Sequence, residues 1–252
     1  MTQPSGQALP EHLREAPHWL AEPPRAGWLD ALIAIPSLWG LTIAAQLGLL
    51  AIFGTEPTAA MLLTGGLFDA VATTALCTFF IAWRHKLSFT RGFRIAWLGW
   101  KPVILAVGLG LTAAVLATVV MNQFSTGDSM MAKLTSTTEG LIAVSVMALL
   151  MPVVEELYYR GFIYTILEKE LTKQSASLWP VAVIVVATWF GAIHVPQLIG
   201  DWIAIPVVAG MGLIWTLMRR HYRSLLPSML SHLTYNGTLI GLSWLSILLE
   251  GA

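Results

Sequence analysis

Residues 140–167 read GLIAVSVMALLMPVVEELYYRGFIYTIL, and the fold is decided here. From Gly140 to Val154 there is no charge, and Ser145 is the only hydroxyl. A bilayer's hydrocarbon core is about 30 Å thick and takes about 20 apolar residues of helix to cross, so the stretch is long enough to span. Its second half then places Glu155, Glu156 and Arg160 among aromatic and aliphatic side chains. A charge held at that depth costs several kcal/mol, so such groups face protein or water and are usually kept for a purpose.

Six further runs of comparable length flank this one, at 29–53, 59–83, 102–124, 178–194, 203–218 and 225–249. The expected fold is therefore all-α, a polytopic transmembrane helix bundle of about seven spans. Asn236-Gly237 is a turn signal that would split the last run and raise the count to eight. One helix is expected instead, because two pieces of about twelve residues are each too short to cross. Composition agrees: of 252 residues 56% are hydrophobic and 11% charged, with a mean hydropathy of +0.70. Soluble domains carry about a quarter charged residues, which excludes an ordinary soluble fold. Fourteen basic and fourteen acidic residues cancel, leaving no cationic surplus for a phosphate backbone and no nucleic-acid partner. The single cysteine, Cys77, lies in an apolar run. It is read as a buried small hydrophobe, since one cysteine builds neither a disulfide framework nor a thiolate metal cluster within a chain.

Residues 1–28 hold Pro4, Pro10, Pro17, Pro23 and Pro24 among mixed polar residues. They are expected to form a mobile tail ahead of a transmembrane domain over 29–252, with the informative motifs in 140–249. The basic start and short apolar centre of a signal peptide are missing, so the first span is read as a retained anchor. Arg14, Arg25, Arg84, Lys86, Arg91, Arg94, Lys101, Lys169, Lys173, Arg219, Arg220 and Arg223 fall on one side of seven alternating spans, against Lys133 on the other. Basic residues are retained in cytoplasmic loops, which places the N-terminus in the cytoplasm. The segment 87–100, with Phe89, Phe93, Trp97 and Trp100 beside Arg91 and Arg94, is expected to lie as a helix in the headgroup layer. Trp28, Trp83, Trp97, Trp100 and Trp202 fall near the span ends, where indoles prefer to sit. His12, His18, His85 and His221 are read as solvated.

The intramembrane polar residues are few: Asp69, Glu155, Glu156, Arg160, His194, His232 and Asn236. Helical residues four apart share a face while neighbours diverge, so Glu156 is expected to pair with Arg160 and leave Glu155 aimed elsewhere. A buried, unpaired carboxylate is suited to exchange protons near neutral pH. Pro152, one turn earlier, removes a backbone hydrogen bond. His232 and Asn236 share one face of the last span and can hold a developing oxyanion or fix a ligand. Phe190 lies one turn before His194, and Gly191 permits close approach of a neighbouring helix. Each feature alone has a plainer explanation, a structural ion pair or an interhelical hydrogen bond. Taken together, six such groups on three helices describe a polar chamber. For them to meet, the helices must tilt or be offset at their ends.

The order Glu-Glu-x-x-x-Arg (Glu155, Glu156, Arg160), Phe-x-x-x-His (Phe190, His194) and His-x-x-x-Asn (His232, Asn236) resembles the CPBP family of intramembrane proteases. That family includes the CAAX prenyl endopeptidases and the bacterial abortive-infection or bacteriocin self-immunity proteins. The resemblance covers about 85 residues and implies proteolysis within the membrane of a membrane-embedded or lipid-modified peptide or protein. By similarity, Glu155 and His194 position and deprotonate a water, His232 and Asn236 stabilise the oxyanion, and Glu156, Arg160 and Phe190 support them. Glu155, His194 and His232 would also satisfy the three protein ligands of a zinc or other divalent ion. The His-Glu-x-x-His helix is absent, so a bound metal and a metal-free water both stay open. Asp69 is a candidate for the chamber wall or for a pairing across the bundle. Two other readings remain: a proton-coupled transporter using Glu155 and Asp69, and a catalytically silent immunity or scaffold protein.

Overall fold

The computed structural model describes residues 16–250 apart from Pro57 and Asp128. Its elements are α1 (Trp28–Phe53), α2 (Ala59–Ile81), the single turn α3 (Phe89–Gly92), α4 (Trp100–Phe124), the short α5 (Met130–Thr135) and α6 (Thr138–Glu155). There follow a π-helical strip (Glu156–Ile163), α7 (Tyr164–Gln174), α8 (Trp179–Leu198), α9 (Ala204–Tyr222) and α10 (Leu226–Glu250). Among the described residues there is no strand. The chain is an integral, multi-pass membrane protein: five stretches are long and apolar enough to cross, namely Trp28–Phe53, Ala59–His85, Trp100–Phe124, Thr138–Gln174 and Ala176–Leu198. The first, third and fifth of these have lipid-sized rows of exposed Leu, Ile, Val and Trp, including Leu32, Ile43, Leu116 and Ile184.

Local chemistry sets the helix boundaries. The Thr58, Ser129 and Thr137 hydroxyls accept from the backbone N–H three residues on, at Met61, Ala132 and Gly140, each starting a helix. Gly54 ends α1 with φ +81 and Gly99 opens α4 with φ +88, conformations that glycine adopts without steric cost. α6, the π strip and α7 form one rod of 37 residues, so the span expected at 140–167 is longer at both ends. α8 runs through Pro196 to Leu198, past the end expected at His194. α10 passes through Asn236 and Gly237 without a break, as the single-helix reading expects.

Inside, small residues let helices approach, as is usual in lipid, where apolar burial alone gives little driving force. Ala106, Gly110, Ala113, Ala114 and Ala117 form the buried stripe of α4. A Cβ on Gly110 would stand 2.5 Å from the Ser231 carbonyl of α10. Cys77 is buried and free, as read.

Three expectations need correction. The segment 87–100 is not one interfacial helix: only Phe89–Gly92 is helical, and Arg94 turns with φ +58 into a buried position. Its guanidinium donates to the carbonyls of Leu20 and Glu22. The Ser224 hydroxyl donates to the Ala96 carbonyl at 2.9 Å and accepts from the Ala96 N–H at 3.1 Å. Those bonds require an irregular backbone and override the amphipathic pattern. Burial, with Arg219 and Arg223 nearby, pushes the Arg94 guanidinium down to about 9. The second correction concerns the tail. Residues 1–15 lie outside the described residues, but Leu20 is fully buried, Arg91 pairs with Glu22 at 2.8 Å, and Lys169 Nζ donates to the Ala26 carbonyl at 2.7 Å. This part of the tail is packed against the bundle. His85 is likewise not simply solvated: Nε2 lies 3.2 Å from Asp30 Oδ2, and Arg84 Nε is 2.9 Å from Asp30 Oδ1.

These contacts define two ends of the bundle. The start of α1, the α2–α4 connection, the end of α7 and the α9–α10 turn meet at one end, where the Leu225 N–H donates to the Arg94 carbonyl at 3.0 Å. At the other end Ser125 bonds Asp201 and Thr126 bonds the Gly200 carbonyl, tying the α4–α5 connection to the α8–α9 connection.

Candidate active site

Glu155 is the last residue of regular α-helix in α6, and Glu156 is the first of the π strip. π geometry is rare and tends to occur at functional sites. The sequence pairing holds: Arg160 Nη1 lies 3.2 Å from Glu156 Oε1, with both side chains fully buried. Arg160 Nε also donates to Thr216 Oγ1 at 3.3 Å and Nη2 to the Gly212 carbonyl at 3.0 Å, both on α9. Its guanidinium carbon stands 4.4 Å from the Phe190 ring centroid. A buried arginine thus spreads its charge over a carboxylate, a hydroxyl, a carbonyl and a π face.

Glu155 points elsewhere. Its Oε1 lies 3.8 Å from His194 Nε2 and its Oε2 lies 3.7 Å from His232 Nε2. Behind the rings, His194 Nδ1 is 2.7 Å from the Phe190 carbonyl and His232 Nδ1 is 3.2 Å from Glu156 Oε1. Both of those partners accept, so each neutral ring carries its proton on Nδ1 and turns an Nε2 lone pair toward Glu155. Three acceptors then face one space at separations too long for direct hydrogen bonds. A water donating two hydrogens is the group that satisfies such a space.

Asn236 lies one turn beyond His232, and its amide donates to the Ala148 carbonyl at 3.2 Å, leaving its second hydrogen free to donate elsewhere. Glu155, His194, His232 and Asn236 all line one cavity of about 510 Å³. The structure therefore brings the four residues read as catalytic to one chamber, with Glu156 and Arg160 behind them and Phe190 on the wall against His194. Asp69 lines the same cavity from α2, accepting from Thr42 at 3.2 Å. Met130 and Met131 of α5 also line it.

Sequence reasoning missed Trp215. Its indole stacks on the His232 ring with centroids 3.6 Å apart at 20°, donates to Ser231 at 3.3 Å, and meets Phe190 edge-on at 5.9 Å. His232 is thereby held between an aromatic face and the Glu156 carboxylate. The only signal in the sequence is Gly212 and Thr216 around Trp215, a small-polar pattern on one face that marks a close helix contact.

Gly191 lets α8 approach α9, as expected. A Cβ there would stand 2.7 Å from Ala209 Cβ. Gly191→Val is expected to cost about 1–3 kcal/mol through overpacking. It should also displace Phe190 and His194, lowering both the midpoint of thermal unfolding in detergent and any activity of the site.

Glu155, His194 and His232 were also weighed as metal ligands. Among the described residues no three His, Cys, Asp or Glu side chains converge as an ion-binding group. Glu155 instead extends one oxygen toward each imidazole. The two Nε2 atoms and the Glu155 carboxylate nevertheless border one space, and these are donor types that a zinc or other divalent ion takes.

A helical membrane protein that shelters a carboxylate, two imidazoles and an amide around one cavity has the parts of an intramembrane hydrolase. Residues 137–238, which contain all three motifs, match the family described as type II CAAX prenyl endopeptidase Rce1-like, in line with the resemblance to the CPBP family. No curated protein and no solved structure matches the chain.

Proposed function

We propose that the protein is an intramembrane endopeptidase of the CAAX-protease and self-immunity type that hydrolyses a peptide bond with a carboxylate-activated water. The observation that carries this reading is Glu155 poised 3.8 and 3.7 Å from two Nε2 atoms at the wall of a 510 Å³ cavity. Glu155, with His194, takes a proton from the water as its oxygen attacks the scissile carbonyl carbon. The oxyanion accepts hydrogen bonds from Asn236 and from His232, whose Nε2, a lone pair in the resting site, first takes a proton from solvent. The C–N bond then breaks, and the proton held at Glu155 passes to the leaving amine. Glu156 and Arg160 orient His232, and Phe190 packs against His194. The substrate is a membrane-embedded or lipid-modified peptide or protein, the bundle crosses the bilayer seven times, and the N-terminus is cytoplasmic.

His232→Ala or Asn236→Ala is expected to lower kcat about 10²–10³-fold with little change in KM, the loss typical of removing one oxyanion donor. The assay is purified protein in detergent with a library of membrane peptides. Cleavage should survive a strong chelator; loss that zinc restores would assign the site to a metal instead. The presence of Asp69 and Glu155 on one cavity favours a second reading as a proton-coupled transporter. Proton uptake into proteoliposomes without peptide cleavage would establish it.

A further inference from the structure

The cavity reaches only one end of the bundle. Its floor is Glu155, midway along the 37-residue rod, Trp215 on α9 and His232, two turns into α10. From there it is lined by the second half of α1, the first half of α2, the last turns of α8 and the first half of α9. Its rim includes Thr55 and Thr58 from the α1–α2 connection, Met130 and Met131 of α5, and Gln197 and Leu198 at the end of α8. All of these belong to the end tied together by Ser125 with Asp201 and Thr126 with Gly200. No lining residue comes from the opposite end, which Arg94, Lys169 and the buried Leu20 close. Among the described residues that closed end carries eleven of the thirteen lysines and arginines, Arg160 lying inside the bundle, whereas the open end carries Lys133. Retention of Lys and Arg in cytoplasmic loops makes the closed end cytoplasmic and the open end exterior.

The charge of the wall is the second observation. Asp69 and Glu155 line the cavity, and no Lys or Arg does so among the described residues. Asp69 is half-buried with the Thr42 hydroxyl as its hydrogen-bond donor. In a low-dielectric chamber an entering carboxylate is repelled by such a wall, while an ammonium or guanidinium pairs with it. Six methionines, Met61, Met130, Met131, Met147, Met151 and Met211, supply the adaptable apolar surface.

We infer that the chamber takes polypeptide from the non-cytoplasmic side, and that its substrates are apolar segments of exported or membrane-inserted chains with neutral or cationic, not acidic, side chains near the cleaved bond. This rests on the proteolytic reading for the cleavage and on geometry alone for the side of entry.

The side is tested in a Cys77→Ala background carrying Thr58→Cys or Gln197→Cys at the rim, or Lys173→Cys at the far end. A membrane-impermeant maleimide added to intact cells should label the two rim cysteines and reach Lys173→Cys only after permeabilisation. The reverse pattern overturns the inference. The charge preference is tested on purified wild type with two peptides that differ by Lys or Glu two residues from the scissile bond. The Lys peptide should give a kcat/KM about 10-fold higher, and Asp69→Asn should abolish the difference. Equal cleavage of the pair overturns the preference. Should no peptide be cut, the proteolytic reading fails. The labelling still decides the side, and binding of the two peptides in fluorescent form to the Glu155→Gln variant decides the charge: tighter binding of the Lys peptide sustains the inference and equal binding overturns it.

Discussion

Glu155→Gln is expected to abolish peptide cleavage, with a loss of at least about 100-fold and a protein that still folds. The amide is nearly isosteric, so the 510 Å³ cavity and the ring positions should persist. A glutamine cannot accept and return a proton, however, and it would place an N–H₂ where His194 and His232 now see an acceptor. The effect should therefore fall on kcat, with substrate binding retained. Unchanged thermal unfolding together with lost cleavage would assign Glu155 to the reaction. Cleavage at the wild-type rate would remove it from the site.

Arg160→Met should act in the opposite way, on the fold first. Arg160 and Glu156 are both fully inaccessible, and Arg160 is the permanent cation in ion-pair contact with Glu156, with His232 on the same carboxylate oxygen. Truncating one partner of a buried pair strands the other charge, at a cost of about 3–5 kcal/mol. The loss would come with release of Thr216 and the Gly212 carbonyl, which Arg160 now engages on α9. Thermal unfolding of the solubilised protein should drop steeply. The double replacement Glu156→Gln with Arg160→Met should recover part of it, because no charge is then left alone. If the single variant unfolds like the wild type, the pair contributes little to the fold and its burial needs another explanation.

Much of this was legible from composition and spacing. The long apolar runs predict helices because lipid leaves the backbone no other way to satisfy its polar groups in a single segment. The five tryptophans expected at span ends are all exposed and lie at or near helix ends. The i,i+4 spacing of Glu156 and Arg160 fixes their pairing, and the same rule separates Glu155 from them. What stayed hidden depends on contacts distant in sequence. Trp215 reads as one more apolar residue until α9 and α10 are packed together. Arg94 belongs to a hydrophobic-basic pattern that suits an interfacial helix, and only the carbonyls of Leu20 and Glu22 explain why its backbone turns instead. His85 becomes more than a surface histidine because Asp30, 55 positions away, is buried against it.

The π-helical strip at Glu156–Ile163 holds extra chain within the rod. In an ordinary helix each residue adds about 100° of rotation and 1.5 Å of rise. The wider winding turns less per residue, so the strip absorbs about one residue more than a regular helix would over the same rotation. Deleting one residue beyond Arg160 would let the strip relax to regular winding while the turns on either side stay near their present phase, with Lys169 still on Ala26. The same single-codon deletion in the middle of α8 or α9, which are regularly wound throughout, should instead rotate half of the helix away from its partners.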